Sequence, residues 1–299
     1  MATSLAAFAG KIRMAVDLRL PDKQVRRTVR GVEMVLPRRH VLPHLTYEGS
    51  AYAENLVDLA AQLHAREGAV CVLDVGANVG DSALLILGRT PSASVVCVEP
   101  DPAWLEYLKL NVAHRPNIAI EASVLLAADD PAVGPLTMVH HSIGTSQVER
   151  GGEGDQVDGI TVEELGRRHP QLSGVRLVKT DTDGWDVMLV PEFAATFQGS
   201  RPVIFFEFDP RPTKVATPHL NPDDMWRRLA DLGYTDALVW DNGGHVLGAA
   251  PVDAMVEKSR VLDQPEEQRG YGFWDVAVAH RDDAVGREIL AEMGGSARL

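Results

Sequence analysis

The chain predicts an α/β fold: a mostly parallel, doubly wound sheet with helices on both faces. Three observations predict it. Short apolar runs alternate with amphipathic helical patterns from residue 53 onward. The first run, Val72-Leu-Asp-Val75, opens into a small-residue turn, Gly76-Ala-Asn-Val-Gly80. The second, Val95-Val-Cys-Val98, ends on Glu99, nineteen residues beyond Gly80.

Residues 1–50 read as an irregular extension or cap. They hold a short helix, strand-like stretches around Val25 to Leu36, and a loop with Pro37, Pro43, Tyr47 and Gly49. Leu56, Leu59, Ala60 and Leu63 recur at helical spacing, which puts an amphipathic helix over 53–67. Strand and helix then alternate: strand 71–75, helix 82–87, strand 94–99, helix 103–113 and a third strand with its approach over 118–126. Residues 129–158 turn to Gly, Pro, Ser, His and Thr, the composition of a long functional loop. Thr161, with Glu164 three residues on, signals a helix start. Strands follow at 175–179 and 203–207, then a helix over 223–232 ending at Gly233. Two last strands, 236–240 and 274–280, have Asn242-Gly-Gly244 between them as a hairpin signal. The core domain is expected over 51–283, with a helical tail over 284–299.

The glycine turn selects the ligand class. Gly76 and Gly80 suit a tight strand-to-helix turn that tolerates positive φ and leaves bare backbone beside a ligand. Glu99 suits bidentate capture of ribose hydroxyls. A dinucleotide fold wants G-x-G-x-x-G with a pyrophosphate on the helix N-terminus, whereas Asp74 and Asp81 flank this turn and would repel one. The two carboxylates instead suit an ammonium and a cationic sulfur, the charges of S-adenosyl-L-methionine (SAM). The plain alternative is a structural turn of any α/β sheet, with Glu99 a solvated strand end.

Composition narrows the rest. At 299 residues with 45% hydrophobic content, a sizeable core is easily buried. A net charge of -13 argues against nucleic acid. The Arg26, Arg27, Arg30, Arg38 and Arg39 cluster alternates with apolar residues and reads as the solvent side of a short sheet. Cys71 and Cys97 sit in apolar runs, as buried reduced thiols do, which points to the cytoplasm. Residues 1–10 lack a basic n-region and are too short to span a bilayer, so no membrane association is expected.

Leu73 to Gly80, Val98-Glu-Pro100, Leu177-Val-Lys-Thr-Asp-Thr-Asp-Gly184, the Phe206-Glu207 strand end, Leu232-Gly-Tyr234 and Trp240-Asp-Asn-Gly243, taken together, resemble the FkbM family of SAM-dependent methyltransferases. The resemblance covers roughly residues 47–280. It implies the Rossmann-like class I methyltransferase fold with seven strands, and O-methylation of sugars or other natural-product hydroxyls. One departure stands out: Asp183 occupies the place where the family commonly has glutamate.

The site should lie outside the carboxyl ends of the strands, which gathers Asp74, Glu99, Asp181, Asp183 and Glu207 around one crevice. Gly76, Asn78 and Gly80 fall to the methionine and ribose side, Glu99 to the ribose with Pro100 beside it, and residues 127–129, centred on Ala128, to the adenine edge by analogy with the fold. Asp181 falls near the methionine ammonium or the acceptor. For general base the candidates are Asp183 and the His140-His141 pair, since imidazole accepts a proton near neutrality; a helix cap and surface loop residues are the bland readings. Tyr47, Tyr52 and Trp185 are candidate walls of an acceptor pocket, with Glu207 on the acceptor side. Trp104, Tyr107 and Leu108 read as core-facing. Asp181, Asp183 and Asp209 are hard oxygen ligands, but their spacing does not assemble a metal site, so none is expected. The expected partner is a small-molecule acceptor. The competing readings are N- or carboxyl-methylation and a non-catalytic SAM-binding domain. The amino-terminal segment can cap its own pocket or, in a homodimer, a neighbour's.

Overall fold

The computed structural model describes residues 15–47, 49–128, 135–141, 145–151, 154–211, 213 and 220–299. A hairpin of β1 (Gln24–Val29) and β2 (Val32–Pro37) comes first, turning on Arg30 and Gly31, both at positive φ. The central sheet takes β3 (Cys71–Val75), β4 (Ser94–Val98) and β5 (Ile118–Glu121) from the first half of the chain. Four small strands follow the short β6 (Val124–Leu126): β7 (Leu136–His141), β8 (Thr145–Arg150) and β9 (Asp155–Val157) form an antiparallel sheet, and β10 (Gly159–Thr161) pairs in parallel with β6. The central sheet is completed by β11 (Leu177–Thr180), β12 (Val203–Phe208), β13 (Tyr234–Asp241), β14 (Val246–Pro251) and β15 (Trp274–His280).

The strand order is β14-β13-β15-β12-β11-β3-β4-β5. Strands β5, β4, β3, β11 and β12 are parallel, and β15 enters antiparallel between β12 and β13. That reversed insertion beside a parallel half-sheet is the arrangement of the Rossmann-like methyltransferase fold. Seven strands were expected, but eight are present among the described residues. Asn242-Gly-Gly244 does turn a hairpin, yet it joins β13 to β14, an added edge strand, and not to β15. The 129–158 segment, expected as a loop, carries β7 to β9 in its described part, and its Leu136 and Met138 are buried.

Alternation along each strand splits the apolar side chains into two layers. Leu73, Val96, Val178, Ile204 and Phe206 face one core, closed by the helices Asp186–Thr196 and Pro222–Asp231. Val72, Val95, Leu177, Val203 and Phe205 face the other, closed by Glu54–Glu67, Asp81–Arg89 and the helix Ala284–Gly294, which buries Ile289 and Leu290. Aromatic contacts knit the first core, with Trp226 5.0 Å from Phe208 and 5.7 Å from Phe206. The hairpin belongs to the second core through Val29, Met34 and Leu36, and Asn111 ties its backbone down by accepting from Val35 N and donating to Val35 O. At the far edge, β14 is itself covered: Ala249 exchanges backbone hydrogen bonds with Ala297 and Leu299, and Gly248 lies where a Cβ would strike the Arg298 backbone. Both cysteines are free thiols. No described helix is long and apolar enough to cross a membrane.

Candidate functional site

A cavity of about 370 Å³ opens at the carboxyl ends of β3, β4, β11 and β12. Gly76, at φ 71°, ends β3, and a Cβ there would run into the Asp181 carbonyl oxygen. The glycine is therefore required by the neighbouring strand tip, a reason different from the ligand clearance expected of it. Asn78 holds φ 49° and caps itself by accepting from Val79 N at 2.8 Å. Gly80, at φ 86°, packs beneath Leu108 at the start of the next helix and lies outside the cavity wall.

Glu99 is buried at the tip of β4, and backbone amides orient both its oxygens. Oε2 accepts from Asn78 N at 2.7 Å and Oε1 from Asp101 N at 2.9 Å. Each oxygen keeps a lone pair for a ligand hydroxyl. Burial pushes this carboxyl up to about 7 against the pull of those amides.

Lys179, near the end of β11, had no assigned role in the sequence, yet it organises the floor. Its ammonium lies 3.2 Å from Asp74, which is fully buried, and 3.9 Å from Asp181. It also donates to Gly76 O at 2.9 Å. Burial alone would lower the lysine pKa, but Asp74, Asp181 and Asp81 outweigh it and raise it. The cavity wall itself carries Asp81, Glu99, Asp181, Asp183 and Glu207 against this one lysine, a donor set suited to a cationic ligand.

The remaining acids in and behind the cavity wall are strongly perturbed. Asp183 sits at φ 51°, a backbone conformation unusual for a non-glycine residue, and burial followed by repulsion from Asp181 and Asp186 pushes it to about 7. Burial and four neighbouring carboxylates raise Glu207 well above the usual range. Asp186 is pushed to about 6 by burial although Thr180 Oγ1 donates to it at 2.7 Å and Thr182 N at 3.1 Å. Burial also takes Asp275, which accepts from Asn55 Nδ2 at 2.8 Å, to about 7.

The cavity brings together Gly76, Asn78, Asp81, Glu99, Pro100, Asp181, Asp183, Trp185 and Glu207 from the sequence-derived set, while Asp74 stands behind Lys179. Tyr47 does not line it, and Tyr52 does, because the chain reverses at Gly49 and brings the later tyrosine inward. Ala128 is exposed and outside the wall. The expected strand over 118–126 breaks at Ala122-Ser123, so the segment beside Glu99 is Ser123-Val-Leu125. Asp129 and the side chains of His140 and His141 lie outside what is described. Trp104, expected in the core, lines the cavity and meets His40 edge-on at 5.8 Å, while Leu108 is buried. His40 was missed: it lines the same wall, accepts from Leu42 N through Nδ1 and faces Asn78 Oδ1 at 3.4 Å. An isolated histidine in an irregular segment gives no spacing signal. Among the described residues no group of three His, Cys, Asp or Glu side chains is placed to hold a metal ion, and Asp209 pairs with Arg211 at 2.6 Å.

No family model and no curated protein matches this chain. Among solved structures it is similar to M. jannaschii TYW2 in complex with AdoMet, at 12% identity and TM-score 0.43 over 87% of this chain and 86% of that one. It is also similar to a SAM-dependent methyltransferase from Agrobacterium tumefaciens, at 10% identity and TM-score 0.42 over 87% and 71%. A third likeness, at 11% identity and TM-score 0.38 over 76% and 87%, is to precorrin-6y C5,15-methyltransferase from Geobacter metallireducens. Overlaps this loose carry no argument about activity, and the fold stands on the strand order.

Proposed function

We propose that this chain is a SAM-dependent O-methyltransferase acting on a hydroxyl of a small molecule, a natural product or sugar, in the manner of the FkbM family. One observation carries the reading: a glycine turn and an amide-oriented acid, Gly76 and Glu99, open on the same cavity as four further carboxyl groups and Lys179. That wall fits a ligand bearing a diol, an ammonium and a sulfonium. When bound, SAM supplies a methyl group already activated by its positive sulfur.

The chain's own groups have separate tasks. Glu99 accepts the ribose hydroxyls through the lone pairs its amide partners leave free. Lys179 and Asp74 clamp the tips of β3 and β11 together. Asp181, whose side chain is 48% exposed, reaches the cavity to meet an ammonium. Asp183 takes the acceptor's hydroxyl proton as the new C–O bond forms, and a carboxyl pushed to about 7 is a competent base at neutral pH. Trp185, Leu189 and Met138 supply apolar wall for the acceptor body. The two free thiols support a reducing, cytoplasmic compartment.

Calorimetric titration with S-adenosylhomocysteine, with NAD in parallel, tests the reading. Binding of the homocysteine compound, weakened by about 1–3 kcal/mol in Glu99→Ala, supports it. Binding of NAD instead, or of neither, overturns it.

A further inference from the structure

Asp186 is a buried acid that the proposed chemistry does not use. It opens the helix Asp186–Thr196, is 4% exposed, and stands behind the stretch of wall that carries Asp181, Thr182 and Asp183. Its two oxygens reach back across the loop that ends β11. Oδ1 accepts from Thr180 Oγ1 at 2.7 Å, and Oδ2 accepts from Thr182 N at 3.1 Å. The middle of the same loop is pinned to β3, where Asp181 N donates to Val75 O at 3.2 Å.

The loop needs this restraint. Asp183 at φ 51° and Gly184 at φ 108° are consecutive left-handed residues, and a non-glycine residue stays in that region only where its surroundings over-determine it. The bonds from Asp186 to Thr180 and Thr182 close the loop immediately before Asp183 and fix the direction in which that residue leaves the strand. Asp186 also brings a charge. Burial and then Asp181 lift it to about 6 against the Thr180 and Thr182 donors, and the start of a helix favours a carboxylate, so it is mostly ionised at neutral pH. Asp183 faces that charge together with Asp181, with Lys179 as the opposing cation and Glu207 as a further acid nearby.

We infer that Asp186 is a positioning residue for the acceptor-side base: it locks the loop 180–182 from behind, so that the Asp183 carboxyl is held at the cavity wall beside a fixed negative neighbour. The inference rests on the reading of Asp183 as base and adds to it what holds that base and what tunes it. Asp186 does not line the cavity, so it acts only through the loop and through its charge.

The test is a carbon-13 NMR titration of the full chain labelled at the aspartate carboxyl carbon, with the Asp183 signal assigned by its loss in Asp183→Asn. In the wild-type protein that signal should titrate near 7. Asp186→Asn keeps the clamp, because its carboxamide oxygen can accept from Thr182 N while its NH2 donates to Thr180 Oγ1, yet it removes the charge. The Asp183 midpoint should then fall by on the order of one pH unit. Asp186→Ala removes the clamp as well, and the midpoint should fall further, toward the ordinary value near 4, as the carboxyl leaves the wall for solvent. A residue that served packing alone would lower stability and leave both midpoints where they were, which overturns the inference. Equal midpoints in the Asn and Ala variants overturn it too, since the clamp would then hold nothing. Where neither Asp186 variant folds, Thr180→Val removes one donor and leaves the acid in place. Asp186 is then more often neutral, and the Asp183 midpoint should again fall; an unmoved midpoint overturns the inference. Failure of the wild-type protein to bind S-adenosylhomocysteine overturns the SAM reading and is read separately from the titration, which needs no ligand.

Discussion

Replacing Lys179 by methionine would leave Asp74 as a buried carboxylate stripped of the ammonium now 3.2 Å away. The expected cost is about 3–5 kcal/mol, measured by urea unfolding, and pairing the change with Asp74→Asn should recover most of it. An unchanged midpoint in the single variant would show that the pair does not hold the floor. Asp183 gives a second residue-scale expectation. A base pushed up to about 7 is protonated and inactive below that value, so turnover should rise with pH through about 7 and then level. Asp183→Asn should lose on the order of 10²–10⁴-fold in kcat and lose that rise with it; a variant with the same profile would move the base elsewhere. Gly76, Glu99 and Asp183 were legible because turn chemistry and strand-end acids have fixed spacing. Lys179 was not, since a lysine inside an apolar strand gives no sign of whether it is buried and paired. Ser123 was hidden by the break in its strand.

Element boundaries followed their local chemistry. Thr161 caps the Val162–Arg168 helix by accepting from Glu164 N at 3.1 Å, as the Thr-x-x-Glu pattern predicts. Thr161→Ala should cost about 1 kcal/mol, read as a shift in unfolding midpoint; a Ser replacement should restore it. The helix Asp186–Thr196 went unread. Pro191 lies inside it, and nearly every side chain in its first two turns is buried, so it has neither uninterrupted propensity nor an apolar stripe to detect. The eighth strand was missed for a related reason: β14 carries Gly248 and ends on Pro251, residues that read as loop. What the sequence conveyed well was the alternation of apolar runs that builds β3, β4, β11 and β12, and with them the location of the cleft.

At the scale of the whole molecule, the cleft is a store of carboxyl groups held above their ordinary values. Glu99, Asp183 and Asp275 are pushed to about 7 and Asp186 to about 6, each by burial first. Unfolded carboxyls titrate near pH 4, so between about pH 4 and 7 these four groups bind more protons in the folded chain than in the unfolded one. Stability from these groups is present at the acid end of that window and is lost as pH rises through about 7. Asp275→Asn removes one of them, so the variant should gain on the wild-type protein as pH goes from 5 to 8 in urea melts; parallel curves would contradict this. The opposite edge of the sheet has a different consequence. Open β-edges recruit other chains, and proteins usually blunt them with charge, proline or a bulge. Here residues 297–299 lie along Ala249 and take both its backbone N–H and its C=O, so the middle of β14 is closed to intermolecular pairing, and clipping those few residues would turn a shielded border into an adhesive one.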